Sequence, residues 1–496
     1  RRGGQRMSAR RILALLLCLL LLPVTAWAQG PVYEVFVASF QDGDGDRRGD
    51  LKGLAEALPY IASLHVSALW LMPIHPSPSY HKYDVVDYLD IAPSYGTLAD
   101  FDALIAAARA QGIDIYLDLV INHSSSGHPW FQAACQALAQ GTDSPYLGWY
   151  MFNQQKGHPV PGASGWYYAG HFGPHMPEIN LDNPGVREEV RRILAFWLNR
   201  GVKGFRLDAT THYYEENTAQ NTAFLAWLVD EARKLDPDVY IVGEAWKDEN
   251  TVLELYQSGI DALFPFQMAG ATGWLVSGMR NGNGADIARR MASWQARIQE
   301  RNPTALDAPF LSNHDMARSS GFLMQNTQRI KQAAALYLLM PGRPYIYYGE
   351  ELGMSGSGRD ENKRLPMVWS GNADELCLPP AQADQQQRLK LGVLEQTDDP
   401  DSVLTFYRHI LSLRAQCPEL TEGTVLPLPT EDRGLAAWQV ERTDGITTVV
   451  HNIGKKTAAL PLPPGTLLGQ WRTGEEDITQ DNETLLLPPG SGCIFR

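Results

Sequence analysis

At 496 residues the chain can bury one large core and carry a smaller second unit. With 44% hydrophobic and 20% charged residues it has the make-up of an ordinary globular protein. A net charge of -14 argues against nucleic acid or another phosphate-bearing partner, which calls for basic patches, and favours a neutral substrate.

From the amino end, the pair Arg10 and Arg11, the apolar run ILALLLCLLLLPV and the AWA before Gln29 read as an export signal over residues 1–28. Met7 is its expected start and the cut is expected after Ala28. The run is too short for a membrane span and no later stretch approaches the required length, so no stable membrane insertion is expected. Export would place the protein in the periplasm or outside the cell. Cleavage removes Cys18 and leaves Cys135, Cys377, Cys417 and Cys493, which show no CxxC metal pattern and leave disulfide pairing open.

Eight β-rich apolar runs then alternate with helical patterns: VYEVFVASF, VSALWLMPI, IDIYLDLVI, KGFRLD, VYIVGEA, ALFPFQM, APFLSN and RPYIYYG. Alternation of this kind predicts a parallel sheet of βα units, and eight strands close a (β/α)8 barrel. The helix TLADFDALIAAARAQG stops at Gly112 and NTAFLAWLVDEARKLDP at Pro237, with Asn221 and Asn326 in expected N-cap positions. The last barrel helix is expected to start at Asp401 or Ser402 and to stop before Pro418. Between the third and fourth strands lies far more chain than the helix GVREEVRRILAFWLNRG needs. Residues 124–180, rich in Gly, His, Trp and Tyr, are therefore an insertion on the face where the strands end. The barrel takes residues 29–123 and 181–420. Beyond it, runs such as GLAAWQVER and ITTVVHNI predict a small antiparallel β-sandwich over 421–496. No GxxxxGK[ST] loop supports nucleotide binding.

Four strand ends carry the chemistry: IDIYLDLVINH, GFRLDATTH, IVGEAW and FLSNHD. In a β/α barrel such ends converge on one pocket, which brings Asp208, Glu244 and Asp315 together. Paired carboxylates are the equipment for breaking a glycosidic bond, one donating a proton and the other attacking carbon or activating water. Arg206 and Asp208, two apart on a strand, face the same side, and the guanidinium favours the ionised Asp, as suits a nucleophile; a structural ion pair at the rim is the plainer reading. Glu244, beside Trp246, gains the raised pKa of a general acid if its pocket is partly apolar, against a solvated rim charge otherwise. His123, His212 and His314 admit a zinc reading. Against it, His123 and His314 adjoin Asn122 and Asp315, where neutral rings would hydrogen-bond sugar hydroxyls. DGDGDRRGDLKG, Asp42 to Gly53, places oxygens at alternate positions as a calcium loop does, although Gly53 and Arg47 depart from the EF-hand pattern. A solvated acidic loop is the competing reading.

Together these segments resemble the α-amylase family of retaining glycoside hydrolases, from the first strand through the C-terminal domain. DLVINH, GFRLDATTH, GEAW and FLSNHD resemble its four main signatures, and LWLMPI, MPEIN and RPYIYYGEELGM its accessory ones. The resemblance implies Asp208 as nucleophile, Glu244 as general acid/base and Asp315 as a third carboxylate on the distorted sugar. It implies that Arg206, His123 and His314 hold that sugar, that Tyr83 stacks on it, and that Asp360 and Arg364 contact its neighbour. Asp42, Asp44, Asp46 and Asp50 resemble the calcium ligands of some members, and Asn122, with Glu178, those of a calcium at the insertion. Thr211 stands where many amylases carry Lys, and Glu178 in MPEIN where Asp is usual. His212 favours an amylase, whereas RLPMVW and the short insertion pull toward oligo-glucosidases.

The resemblance and the signal together imply an exported, monomeric α-amylase cutting internal α-1,4 bonds of starch and maltooligosaccharides, with calcium and no organic cofactor. The alternatives are an α-glucosidase, oligo-1,6-glucosidase or cyclomaltodextrinase-like enzyme on short α-glucans, a glucosyl transferase or isomerase, and a non-catalytic glycan-binding protein on an inherited barrel.

Overall fold

The computed structural model describes residues 30–496; the export signal read over residues 1–28, with Cys18, lies outside them. A parallel sheet of seven strands forms the centre: β1 (Val32–Val35), β2 (Ala68–Leu71), β3 (Asp114–Leu119), β4 (Gly204–Leu207), β5 (Tyr240–Gly243), β6 (Ala262–Leu263) and β7 (Tyr345–Tyr347). They pair in the order β7-β1-β2-β3-β4-β5-β6. APFLSN, expected as a further strand, does not form a ladder. It closes the ring through single bonds instead, the Tyr345 N–H reaching Pro309 O at 2.8 Å and the Gly270 N–H reaching Leu311 O at 2.9 Å. Pro309 lacks the N–H a ladder would need, and Pro265 cuts β6 short in the same way.

Inside the barrel Trp70, Tyr116, Val242, Phe264, Phe310 and Tyr345 fill the space, while a larger apolar layer lies between the sheet and the helices. Burial of each such side chain favours the fold by about 1.5–3 kcal/mol. The helices have the stripes and caps their sequences promise. Leu98–Ala110 buries Phe101, Leu104, Ile105 and Ala108, and a Thr97/Asp100 capping box starts it. Asn326 and Ser402 cap their helices as expected. Asn221 does not: Thr218–Leu235 begins a turn earlier, capped by Asn217. Asn221 instead sits buried within that helix, accepting the Tyr214 N–H and donating to Thr211 O.

The insertion packs the helix Pro129–Gln140 against three two-residue antiparallel strands through Phe131, Tyr150, Phe152 and Tyr168. It returns to the barrel beside β3, where the Ile179 N–H bonds Asn122 O. After the helix Glu419–Glu422 the chain forms a five-stranded and a three-stranded antiparallel sheet, whose apolar faces meet at Leu435, Val450, Leu460, Leu485, Leu487 and Phe495. Cys135, Cys377, Cys417 and Cys493 are buried and free. No helix among the described residues is long and apolar enough to cross a membrane.

Candidate active site

The strand ends place Arg206 at the centre of a buried ionic network. From β4 its Nη1 meets Asp208 at 2.7 Å and Asp118, on β3, at 2.9 Å, and its Nη2 bonds Glu244, the residue just after β5. Glu244 is fixed by its own backbone, its N–H donating to Leu207 O at 2.9 Å and its carbonyl accepting the Thr210 N–H at 3.1 Å. Ala209, between nucleophile candidate and turn, has φ +49°, a left-handed conformation that costs a non-glycine residue energy and aims the loop into the pocket.

Burial pushes Glu244 up to about 7, against the pull of Arg206, and pushes Asp118 up to about 6. Trp246, two residues beyond Glu244, stacks on Phe266 at 4.5 Å.

On the opposite side, Asp315 accepts from Arg364 Nη2 at 3.0 Å and lies 3.0 Å from His314 Nε2 as an ion pair, while 33% of its side chain stays open to the pocket. Burial alone would raise Asp315, but His314, Arg364 and Arg206 outweigh it and hold it well below the usual carboxylate range. His314 is not the neutral ring expected from the sequence. Burial opposes its charge, yet Asp315 and Glu34 push it up to about 9.

Tyr83 lies over His314, ring centroids 5.6 Å apart, and donates its hydroxyl proton to Asp118 at 2.9 Å. Burial lowers His123 and keeps it neutral, and its buried Nε2 has no hydrogen-bond partner. An orphaned buried nitrogen is costly unless a ligand meets it. Phe172 of the insertion lies 5.2 Å from His123 and 5.6 Å from His212. Asp360 is exposed, at the start of the short helix Asp360–Lys363, and bonded to Lys363.

His123, His212 and His314 do not gather as a zinc trio: His212 stacks on His171 and His314 is engaged with Glu34 and Asp315. Beyond His212 a cleft of about 520 Å³ opens between the insertion and the β4 loop, lined by His158, His171, Glu178, Glu215 and Glu216.

After β1, oxygens of Asp42, Asp44 and Asp50 lie within 4.8 Å of one another, the one such acidic group among the described residues. Loop N–H groups already orient them: Gly45 and Arg47 donate to Asp42, Asp46 to Asp44, and Gly43 and Gly53 to Asp50. Asp46 stays outside the group, and one of its oxygens accepts the Arg48 N–H at 2.7 Å. At the insertion Glu178 bridges to His123, next to Asn122; the Asn122 amide faces His123 and Glu178 accepts the His171 N–H.

The model of the α-amylase catalytic domain matches residues 34–423. The chain belongs to the α-amylase family. Alpha-amylase 3 of Dictyoglomus thermophilum is 39% identical to it, over 85% of this chain and 84% of that protein. Among solved structures, Eubacterium rectale Amy13B superposes with TM-score 0.91 at 35% identity, covering 94% of this chain and 95% of that one. An α-amylase from H. orenii superposes with TM-score 0.84 at 32% identity, over 94% and 99%. The α-amylase-family chain is thus a glycoside hydrolase, an enzyme, which removes the non-catalytic alternative.

Two members of the network were not singled out from sequence, Asp118 and Glu34. Both are acids inside apolar stretches of their strands, Glu34 in VYEV and Asp118 in IYLDL. A carboxylate in such a run has to be paired, and that is the signal that could have found them.

Proposed function

We propose that the protein is an exported α-amylase that hydrolyses internal α-1,4-glucosidic bonds of starch and maltooligosaccharides with retention of configuration. The observation that carries this reading is the single guanidinium of Arg206, which holds both Asp208 and Glu244. Acids tied so closely suit the retaining separation of about 5–5.5 Å rather than the wider gap that admits a water.

In the first step Glu244, kept protonated near neutral pH, donates its proton to the glycosidic oxygen as Asp208 attacks the anomeric carbon. The leaving chain departs with that proton and a glycosyl ester on Asp208 remains. Glu244, now ionised, takes a proton from water; the water attacks the anomeric carbon, and Asp208 leaves as carboxylate. Asp315, His123 and Arg364 hold the sugar around the reacting carbon, Tyr83 stacks on it, and Arg206 holds Asp208 in place through their ion pair. The cleft beyond His212 receives further sugars of the chain, as an endo-acting enzyme needs.

Calcium fits the loop after β1 and would be held by Asp42, Asp44 and Asp50. When bound it neutralises the mutual repulsion of these carboxylates and stiffens the loop. The basic pair, apolar run and AWA motif before Gln29 support export to the periplasm or medium. Amino-terminal sequencing of the protein recovered from those fractions is the check, with Gln29 as the expected first residue.

The test of specificity is the product profile on soluble starch, maltotriose, isomaltose and cyclodextrin. A rapid fall in starch viscosity with mixed maltooligosaccharides is expected. Glucose from short oligosaccharides with starch barely touched would overturn the endo-amylase reading in favour of a glucosidase.

A further inference from the structure

His314 is fully buried between two carboxylates on opposite edges of its ring. Nδ1 lies 2.5 Å from Oε1 of Glu34, on β1, and Nε2 lies 3.0 Å from Oδ2 of Asp315. Nε2 also faces the Tyr83 hydroxyl at 2.7 Å. That hydroxyl also reaches Asp118 at 2.9 Å, and with its proton on Asp118 its oxygen accepts from His314. An ionised carboxylate accepts only, and a neutral imidazole carries one N–H, so a neutral ring would leave one nitrogen lone pair against an acceptor. A ring protonated on both nitrogens satisfies every one of these contacts.

The surroundings agree. Glu34, Asp118, Asp208, Glu244 and Asp315 bring five carboxyls to this region, and Arg206 and Arg364 bring two guanidinium groups. Trp70 closes the remaining side of the ring, edge-on at 5.6 Å, and the backbone carbonyl of His314 accepts from Arg364. Glu34 is 2% exposed and is the one acid that meets Nδ1.

We infer that Glu34 is a positioning residue that keeps His314 doubly protonated, and that the resulting Glu34–imidazolium–Asp315 clamp fixes Asp315 in the orientation the sugar requires. Glu34 never touches the sugar; it acts through His314. Without its charge the ring sheds a proton more readily. Its amide replacement would still take the Nδ1 proton, which leaves the Nε2 lone pair against the Asp315 carboxylate. Repulsion then turns Asp315 away. This inference rests on the role given to Asp315 above, but its first test does not.

That test is nuclear magnetic resonance of the unliganded enzyme labelled at histidine nitrogen, with His314 assigned by comparison with His314→Gln. Wild type is expected to show both ring nitrogens protonated up to about pH 8, and Glu34→Gln to release that proton at least about two pH units lower. A neutral His314 in wild type at about pH 7, or the same titration in both proteins, would overturn the proposal whatever the enzyme's activity.

The second test is the pH profile of kcat/KM. Glu34→Gln is expected to fall at least about tenfold further below wild type at about pH 8 than at about pH 5, because acid reprotonates the ring. Glu34→Asp, which keeps the charge, should recover most of the loss. A deficit equal at both pH values, or a Glu34→Asp variant as impaired as Glu34→Gln, would mean that Glu34 serves packing alone and would defeat the inference.

Discussion

At the scale of single residues, the site works by giving chemically similar acids different surroundings. Asp208 and Glu244 share Arg206, yet burial raises Glu244 to about 7, while Asp208 lies 2.7 Å from the guanidinium. Asp208→Asn keeps the shape and removes the nucleophile, so kcat should drop by on the order of 10⁴-fold with an unchanged circular dichroism spectrum. Turnover close to wild type from a clean preparation would remove Asp208 from the mechanism. Glu244 makes a pH prediction whose sign is fixed by its role. The general acid must carry its proton in the free enzyme, so kcat/KM should fall about tenfold per pH unit above about 7. A rate still rising between about pH 7 and 9 would reassign the acid.

At the scale of elements, the positions of the acids depend on loops pinned to neighbouring helices. Asn221, buried in the helix Thr218–Leu235, holds Tyr214 and Thr211 and so anchors the turn that follows Asp208. Asn221→Ala leaves a buried N–H and carbonyl unpaired and should destabilise the protein by about 1–3 kcal/mol. It should also lower kcat through the displaced loop. Denaturant midpoints and kinetics measured together check both, and a variant with wild-type values on each axis would deny the anchor.

Much of this architecture was legible in the sequence because period and punctuation are local. The stripe Phe101, Leu104, Ile105, Ala108 and the cap Thr97 specify one helix with no knowledge of the rest. The strand-end acids were legible because the barrel repeats its βα unit and every unit ends on the same face. What escaped depends on contacts across hundreds of residues. Glu34 and His314 are 280 positions apart, so the charge of His314 cannot be read from FLSNHD. Asn221 escaped because a cap one turn earlier, Asn217, was equally good chemistry and only packing chose between them. The failure of APFLSN to form a ladder was readable, since Pro309 announces it.

The acidic loop after β1 belongs to this scale too. Asp50 caps the helix Leu51–Glu56 through Gly53 and shares the acidic group with Asp42 and Asp44. Calcium there would hold loop and cap together, so a chelator should lower the melting temperature and added calcium restore it, by about 2.7 kcal/mol when calcium is 100-fold above its Kd. Asp42→Asn with Asp44→Asn should abolish that response. A melting temperature indifferent to chelator and calcium would leave a solvated acidic loop.

At the scale of the whole molecule, the buried acids set how stability depends on pH. Burial pushes Asp307, beneath the barrel, and Glu350, behind Ser312 and Tyr337, each up to about 7. Their ordinary values are about 4, so between about pH 4 and 7 the folded protein holds protons that the unfolded chain has released. Where the native state binds more protons, stability falls as pH rises. His314 adds to this with the same sign, because a histidine raised to about 9 contributes stability that is complete below its unfolded value and lost as pH climbs through 9. Carboxylates that burial would raise but loop N–H groups hold low, such as Asp42, act in the opposite sense, and only at more acid pH, as they become protonated. Buried histidines held low, among them His75, His128 and His451, act in the opposite sense below about pH 6.5. The melting temperature should therefore decline from about pH 7 to about pH 9, and Glu350→Gln, which stays neutral at every pH, should gain on wild type as pH rises from about 4 to about 7. Calorimetry across the range decides it. A melting temperature that rises from about pH 7 to 9, with a gap between wild type and Glu350→Gln that does not change with pH, would mean that these acids are ionised in the folded protein, and that the low-dielectric interior inferred around the barrel does not govern their charge.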